Sequence, residues 1–145
     1  MNNLPYLYLA GNLSHFKKQG TEIYKENVSN WRDKIVDWCL DNNLSYFDPA
    51  ETFERPVAHK FSSKTVLQQN NYHLNKTDIL IVNLCKLNKS FGTIYEIVCA
   101  HKKGAIILAF WNCEVYEYSP HLSECITEKL ESIDDVVEYI STMFL

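Results

Sequence analysis

Asp78-Ile79-Leu80-Ile81-Val82-Asn83-Leu84 is the stretch whose reading decides the fold. It is apolar from Ile79 to Val82 and rich in β-branched residues. A strand with one wet face alternates apolar and polar residues. A strand apolar throughout is covered on both faces, as in a parallel sheet sandwiched by helices. Outward from it, three more runs have the same character. Tyr6-Leu7-Tyr8-Leu9-Ala10 ends at Gly11-Asn12, Leu44-Ser45-Tyr46-Phe47 stops at Asp48-Pro49, and Ala105 to Phe110 follows Gly104. Cys125 to Leu130 reads as a fifth strand.

Between these runs the period changes to that of helices. Ser29 to Asn43 carries Trp31, Ile35, Trp38 and Cys39 at helical spacing, with Ser29 as its expected N-cap. Lys64 to Asn75 is a second helix, and Thr93 to Lys103 a third, ended by Gly104 at C′. Ser132 caps a last helix, Ile133 to Thr142, with Val136, Val137 and Ile140 inward and Asp134 and Asp135 at its positive end. Glu51 to Ser63 holds Pro56 and no period, so it reads as a loop. Strand and helix in alternation imply an α/β fold with a parallel sheet wrapped on both faces.

The 145 residues are one domain's worth, so residues 1–145 are expected to form a single unit. Fourteen Lys and Arg against eighteen Asp and Glu give a net charge of −4, without the electrostatic footprint of a duplex-DNA or anionic-membrane binder. No apolar run approaches the roughly 20 residues of a membrane span, and no signal peptide is visible, so a cytoplasmic protein is expected. The five cysteines are never spaced C-x-x-C and read as buried, reduced thiols. The five histidines are scattered without an H-x-x-x-H pair, so neither a metal site nor a cofactor is expected.

Open parallel sheets bind ligands at the carboxyl ends of their strands. The first such turn, Ala10-Gly11-Asn12-Leu13-Ser14, is neither a dinucleotide fingerprint nor a P-loop. Gly11 allows close approach of a ligand or a positive φ, or it simply ends the strand. Asp48 and Glu51 follow the second strand on the correct edge, although Asp48-Pro49 is also ordinary turn chemistry. Asp78 opens the third strand and so lies on the wrong edge. Ser90-Phe91-Gly92-Thr93-Ile94-Tyr95-Glu96 leads into a helix whose first N–H groups, from Gly92 to Tyr95, can receive an anion or hydroxyls. Glu96 on its first turn has the chemistry of a nucleophile or base. The same Thr93-x-x-Glu96 spacing is also a capping box, in which the glutamate does no chemistry. No G-x-S-x-G elbow is present.

Several of these segments together resemble the nucleoside 2-deoxyribosyltransferase family. Tyr8-Leu9-Ala10-Gly11-Asn12 resembles its Y-L-A-G-P opening, and Trp31-Arg32-Asp33 resembles the W-R-x-E of one branch. Asp48-Pro49, Thr77 to Leu84, Gly92-Thr93-Ile94-Tyr95-Glu96-Ile97 and Lys103 to Ile107 match later motifs in order. Ser119-Pro120-His121-Leu122 and Leu130 to Val136 resemble the closing strand and helix.

The resemblance implies a flavodoxin-like (Rossmann-like) three-layer sandwich, with a parallel five-stranded sheet in the order 2-1-3-4-5. It implies that Glu96 attacks the anomeric carbon of a 2′-deoxyribonucleoside or its 5′-monophosphate, and that water or a second base then takes the sugar. Tyr8 matches the tyrosine that positions the glutamate. Gly92 and the N–H groups around Thr93 would hold the sugar's 5′ end. Ser90 stands where the transferases have Asp and the nucleotide-hydrolysing branch often has Ser. Gly11, Asn12 and Asp48 are further candidate substrate contacts. The resemblance also implies a homodimer or higher homo-oligomer, with Trp111 to Tyr118 as a contact or a lid.

One position departs from the family pattern. Eight residues before Asp78 the family usually has an aspartate that assists the leaving base, and here that position is Asn70. Asparagine hydrogen-bonds a base but cannot protonate it. General-acid help is worth roughly 10²–10⁴-fold. Asp48 or Glu51 would then supply the proton, or the base leaves easily, or turnover is slow or lost. The second reading is therefore a nucleoside or nucleotide binding module with weakened catalysis.

Overall fold

A computed structural model describes residues 3–13, 21–55, 60–111 and 119–145. Five strands, β1 (Leu7–Ala10), β2 (Tyr46–Phe47), β3 (Ile79–Asn83), β4 (Ile106–Phe110) and β5 (Glu128–Lys129), form one sheet in the order β2-β1-β3-β4-β5. Every neighbouring pair is parallel. The register pairs Leu7 with Ile79, Ala10 with Val82 and Asn83 with Phe110. All residues of β1 and β3 are buried, as their apolar runs require, and the polar Asn83 that ends β3 is buried with them.

Alternate residues of each strand feed opposite cores, because side chains in a strand point to the two faces in turn. Tyr8, Ala10, Leu80, Val82, Ile107 and Ala109 pack with Phe47 beneath α4 (Ser63–Leu74) and α5 (Phe91–Lys103). Leu7, Leu9, Ile79, Ile81, Leu108 and Phe110 pack on the other face against α2 (Asn30–Asp41) and α7 (Ile133–Phe144). The result is the flavodoxin-like three-layer sandwich that the strand pattern and the resemblance predict. Gly104, at φ 90°, closes α5 in the left-handed conformation, and Ser132 caps α7 by accepting from the Asp135 N–H.

Local boundaries differ from the sequence expectation where caps compete. Ser29 does not start a helix. Its backbone is helical, its side chain makes no cap bond, and the helix begins earlier, at α1 (Glu22–Tyr24), capped by Thr21. A π-helical segment, Lys25–Ser29, joins α1 to α2. The expected loop after Asp48 begins instead as α3 (Pro49–Phe53), because Asp48 accepts from the Ala50 N–H and Pro49 suits the first helical position. Cys125 belongs to α6 (Pro120–Cys125), opened by Ser119-Pro120 in the same way, so β5 keeps only two residues. Helix α5 starts at Phe91, two residues before the expected Thr93. Cys85 is disulfide-bonded, against the expectation of reduced thiols throughout, whereas Cys39, Cys99 and Cys125 are free. Ser14 and most of the Trp111 to Tyr118 segment, residues 112–118, lie outside the described residues.

Candidate active site

The carboxyl edge of the sheet gathers most of the candidate residues. Gly11 and Asn12 leave β1, Asp48 leaves β2, and Asn83 ends β3 shortly before α5. Asp78 sits at the opposite edge, where its Oδ2 accepts the Tyr6 N–H at 2.8 Å. Because α5 begins at Phe91, Glu96 lies on its second turn and Thr93 inside the helix. Thr93 Oγ1 is bonded by Ser90 Oγ at 2.6 Å rather than capping. The capping-box role for Glu96 is thereby removed.

Glu96 is 8% exposed, and its Oε2 is buried without a hydrogen-bond partner. Tyr8, fully buried on β1 and packed on Phe47 at 5.3 Å between ring centres, turns its hydroxyl toward this carboxylate. The two interact without closing a bond of good geometry, and Tyr8 Oη is likewise left unsatisfied. Burial pushes the Glu96 carboxyl up to about 7, against the pull of Tyr8 and Arg32. Burial and the neighbouring Glu96 charge raise the Tyr8 phenol far above its ordinary value, so Tyr8 stays protonated.

Beside this pair lies an ion pair. Arg32 Nε donates to Asp48 Oδ1 at 2.9 Å, with the side chains 2% and 5% exposed. Arg32 Nη1 donates to the Val28 carbonyl at 3.4 Å, the guanidinium lies 4.5 Å from the Trp31 ring centre, and Nη2 is buried without a partner. Burial raises the Asp48 carboxyl, while Arg32 and the Ala50 N–H oppose that rise. Sequence reading places Arg32 only in a family motif, without a role. The available signal was the inward stripe Arg32, Ile35, Cys39, since a charged residue on an apolar helix face demands a buried partner.

The remaining candidates divide. Gly11 lacks the expected positive φ, the only such glycine among the described residues being Gly104. A β-carbon there would make ordinary contacts, with Trp31 and Asn83 at 3.4 Å and Arg32 Nη2 at 3.5 Å, so neither its backbone nor the surrounding space demands glycine. Asn12 is buried and donates to the Lys86 carbonyl at 3.2 Å. Gly92 stands open at the start of α5, with nothing within 4 Å of where a β-carbon would be. Asn70 is part-exposed on α4. Its neighbour Asn71 receives the Tyr95 hydroxyl at 2.9 Å and ties α4 to α5. Glu51 is exposed and accepts from Tyr46 Oη at 3.0 Å. Tyr46 packs on the face of the sheet opposite Tyr8, so Glu51 is turned from Glu96. Among the described residues no cluster of three or more His, Cys, Asp or Glu is arranged to hold a metal ion, and no helix is long and apolar enough to cross a membrane.

The fold and this edge define a class: flavodoxin-like α/β proteins with a buried carboxylate over the strand ends. Solved structures share the fold. A conserved protein from Enterococcus faecalis V583 has a TM-score of 0.74 at 17% identity, over 97% of this chain and 99% of that one. The 2-deoxyribosyltransferase of Bacillus psychrosaccharolyticus has a TM-score of 0.63 at 17% identity, over 90% and 89%. The CMP N-glycosidase of Clostridium botulinum has a TM-score of 0.60 at 12% identity, over 94% and 98%. No protein-family model matches the chain, and no curated protein matches its sequence. At these identities the likeness is one of fold.

Proposed function

We propose that this chain is an enzyme that cleaves or transfers the N-glycosidic bond of a 2′-deoxyribonucleoside or its 5′-monophosphate, with Glu96 as nucleophile and Tyr8 as the residue that orients it. The carrying observation is the Glu96 carboxylate, buried at the carboxyl edge with Oε2 unpaired beside the Tyr8 hydroxyl. The fold shared with a 2-deoxyribosyltransferase and a CMP N-glycosidase supports the reading.

A Glu96 oxygen bonds to C1′ as the C1′–N bond breaks, and the bonding pair leaves with the base. Asp48 is engaged by Arg32 and Glu51 by Tyr46, so the departing base takes its proton from water. Asn70 contributes at most a hydrogen bond. Bases that leave readily as anions are therefore the expected substrates. Water or the nitrogen of a second base then attacks C1′, the ester C–O bond breaks, and the Glu96 carboxylate is restored. The proton on the incoming nucleophile passes to solvent. Gly11 and Asn12 border the sugar, and Ser90, Gly92 and Thr93 border its 5′ end at the positive start of α5. The reaction needs no cofactor.

The test is incubation with 2′-deoxynucleosides and their 5′-monophosphates, with and without a free base, followed by chromatography. Base release or exchange that vanishes in Glu96→Ala supports the reading, and dependence on the free base separates transferase from hydrolase. Asn70 in place of a carboxylate favours one second reading, a binding module of the same fold. Ligand binding without turnover in the native chain would establish it. We further propose a cytoplasmic homodimer or higher homo-oligomer built from one domain per chain. A monomeric mass in solution would refute the assembly.

A further inference from the structure

Three separate features converge on the guanidinium of Arg32. The π-helical segment Lys25–Ser29 widens the helix just before it, and π-turns divert backbone carbonyls from the usual ladder. Here Asn27 O receives Trp31 Nε1 at 3.2 Å and Asn83 Nδ2 at 3.3 Å, and Val28 O receives Arg32 Nη1. Asp48 fixes Nε, and the Trp31 ring supports the plane of the group. A surface arginine needs none of this. One guanidinium nitrogen, Nη2, is buried with no partner among the protein's groups, and a buried polar atom of that kind calls for an explanation.

The charge so fixed acts electrostatically on both members of the Tyr8–Glu96 pair. Glu96 faces the Tyr8 hydroxyl from β1 and the Arg32 charge from α2, and the Asp48 charge acts on Tyr8 from the end of β2. In this low-dielectric surrounding a carboxylate is costly to keep ionised, and attack at C1′ requires the ionised form. We propose that Arg32 is a positioning residue of this site, a seated cation that holds the buried Glu96 carboxylate in its charged, attacking form, with Asp48 serving as the anchor that seats it. Arg32 acts through Glu96 and does not touch the substrate. The inference deepens the reading of Glu96 as nucleophile and rests on it.

The test titrates Glu96 directly in the substrate-free protein, by carbon NMR of chains labelled at the glutamate carboxyl, with Glu96→Gln assigning the signal. In Arg32→Met the Glu96 titration moves upward by about one unit or more. In Arg32→Lys, which keeps the charge, most of that shift is recovered. The double variant Arg32→Met with Asp48→Asn leaves neither charge buried alone and keeps the test available if the single variant does not fold. An unmoved Glu96 titration in Arg32→Met, or in the double variant where the single one does not fold, overturns the proposal. A shift in titration with no base released from any deoxynucleoside by the native chain leaves the Arg32–Glu96 coupling standing and removes the glycosidic-bond reading instead.

Discussion

Arg32 Nε and Asp48 Oδ1 meet at 2.9 Å with both side chains almost wholly out of water. Removing one partner of such a pair strands the other charge. Asp48→Ala is expected to cost about 3–5 kcal/mol, and it also strips α3 of its cap. Arg32→Met with Asp48→Asn should cost clearly less than the sum of the single changes. Urea denaturation of the native chain, Asp48→Ala, Arg32→Met, Asp48→Asn and the double variant measures both quantities, and additive losses in the cycle would mean the pair is not coupled.

Glu96 binds its proton more tightly in the folded chain, where its carboxyl stands at about 7, than in the unfolded chain near 4.5. Its contribution to stability is fully present below the unfolded value and is lost as pH rises through about 7. The loss amounts to about 3 kcal/mol. Glu96→Gln should therefore gain stability relative to the native chain near pH 8 and little near pH 4.5. Thermal melts at the two pH values decide it, and equal differences at both would contradict the burial argument.

The same carboxyl sets the expected pH dependence of turnover. Base release should rise with pH as a single proton leaves near 7, provided Glu96 attacks as the anion. Tyr8→Phe removes a hydroxyl that favours the charged form, so the rising limb should move to higher pH while the maximum rate falls. A profile of kcat/KM against pH for both proteins checks this. A limb unchanged in Tyr8→Phe would place Tyr8 in the core alone.

Asn70→Asp should raise base release from ordinary deoxynucleosides by up to roughly 10²-fold, the lower end of what a general acid supplies. It should leave unchanged the release of a leaving group that needs no proton. Comparing the two substrates in both proteins separates proton transfer from a general change in the site.

The parallel direction of the first four strands is legible in residue patterns, because a strand buried on both faces has little choice but apolar residues, whereas the order β2-β1-β3-β4-β5 comes only from the resemblance and the exposed β5 carries no such pattern. The helix starts are less legible. Ser29 is a better isolated cap than Thr21, yet a π-turn carries the helix through it, and Ser119-Pro120 and Asp48-Pro49 open short helices that no apolar period announces. Within the site, Glu96, Tyr8, Asp48 and Gly11 follow from strand ends and resemblance. Arg32 does not, because its partner lies sixteen positions away and depends on the β2–α3 turn. The capping-box alternative for Glu96 falls only when α5 is seen to start at Phe91.

The π-turn at Lys25–Ser29 also bears on how such a site disappears. Its i→i+5 bonding holds one residue more than an α-helical turn would. Deleting a single residue there lets the ladder close as an ordinary α-helix, with both flanks still helical and the sheet intact. The Asn27 and Val28 carbonyls, which receive Trp31, Asn83 and Arg32, lie in that turn and would be re-aimed as it closes. A lineage can therefore retire this site in one indel while every residue of Tyr8, Arg32, Asp48 and Glu96 remains in place. A shortened helix with an unchanged circular-dichroism spectrum and a displaced Glu96 titration would be its signature.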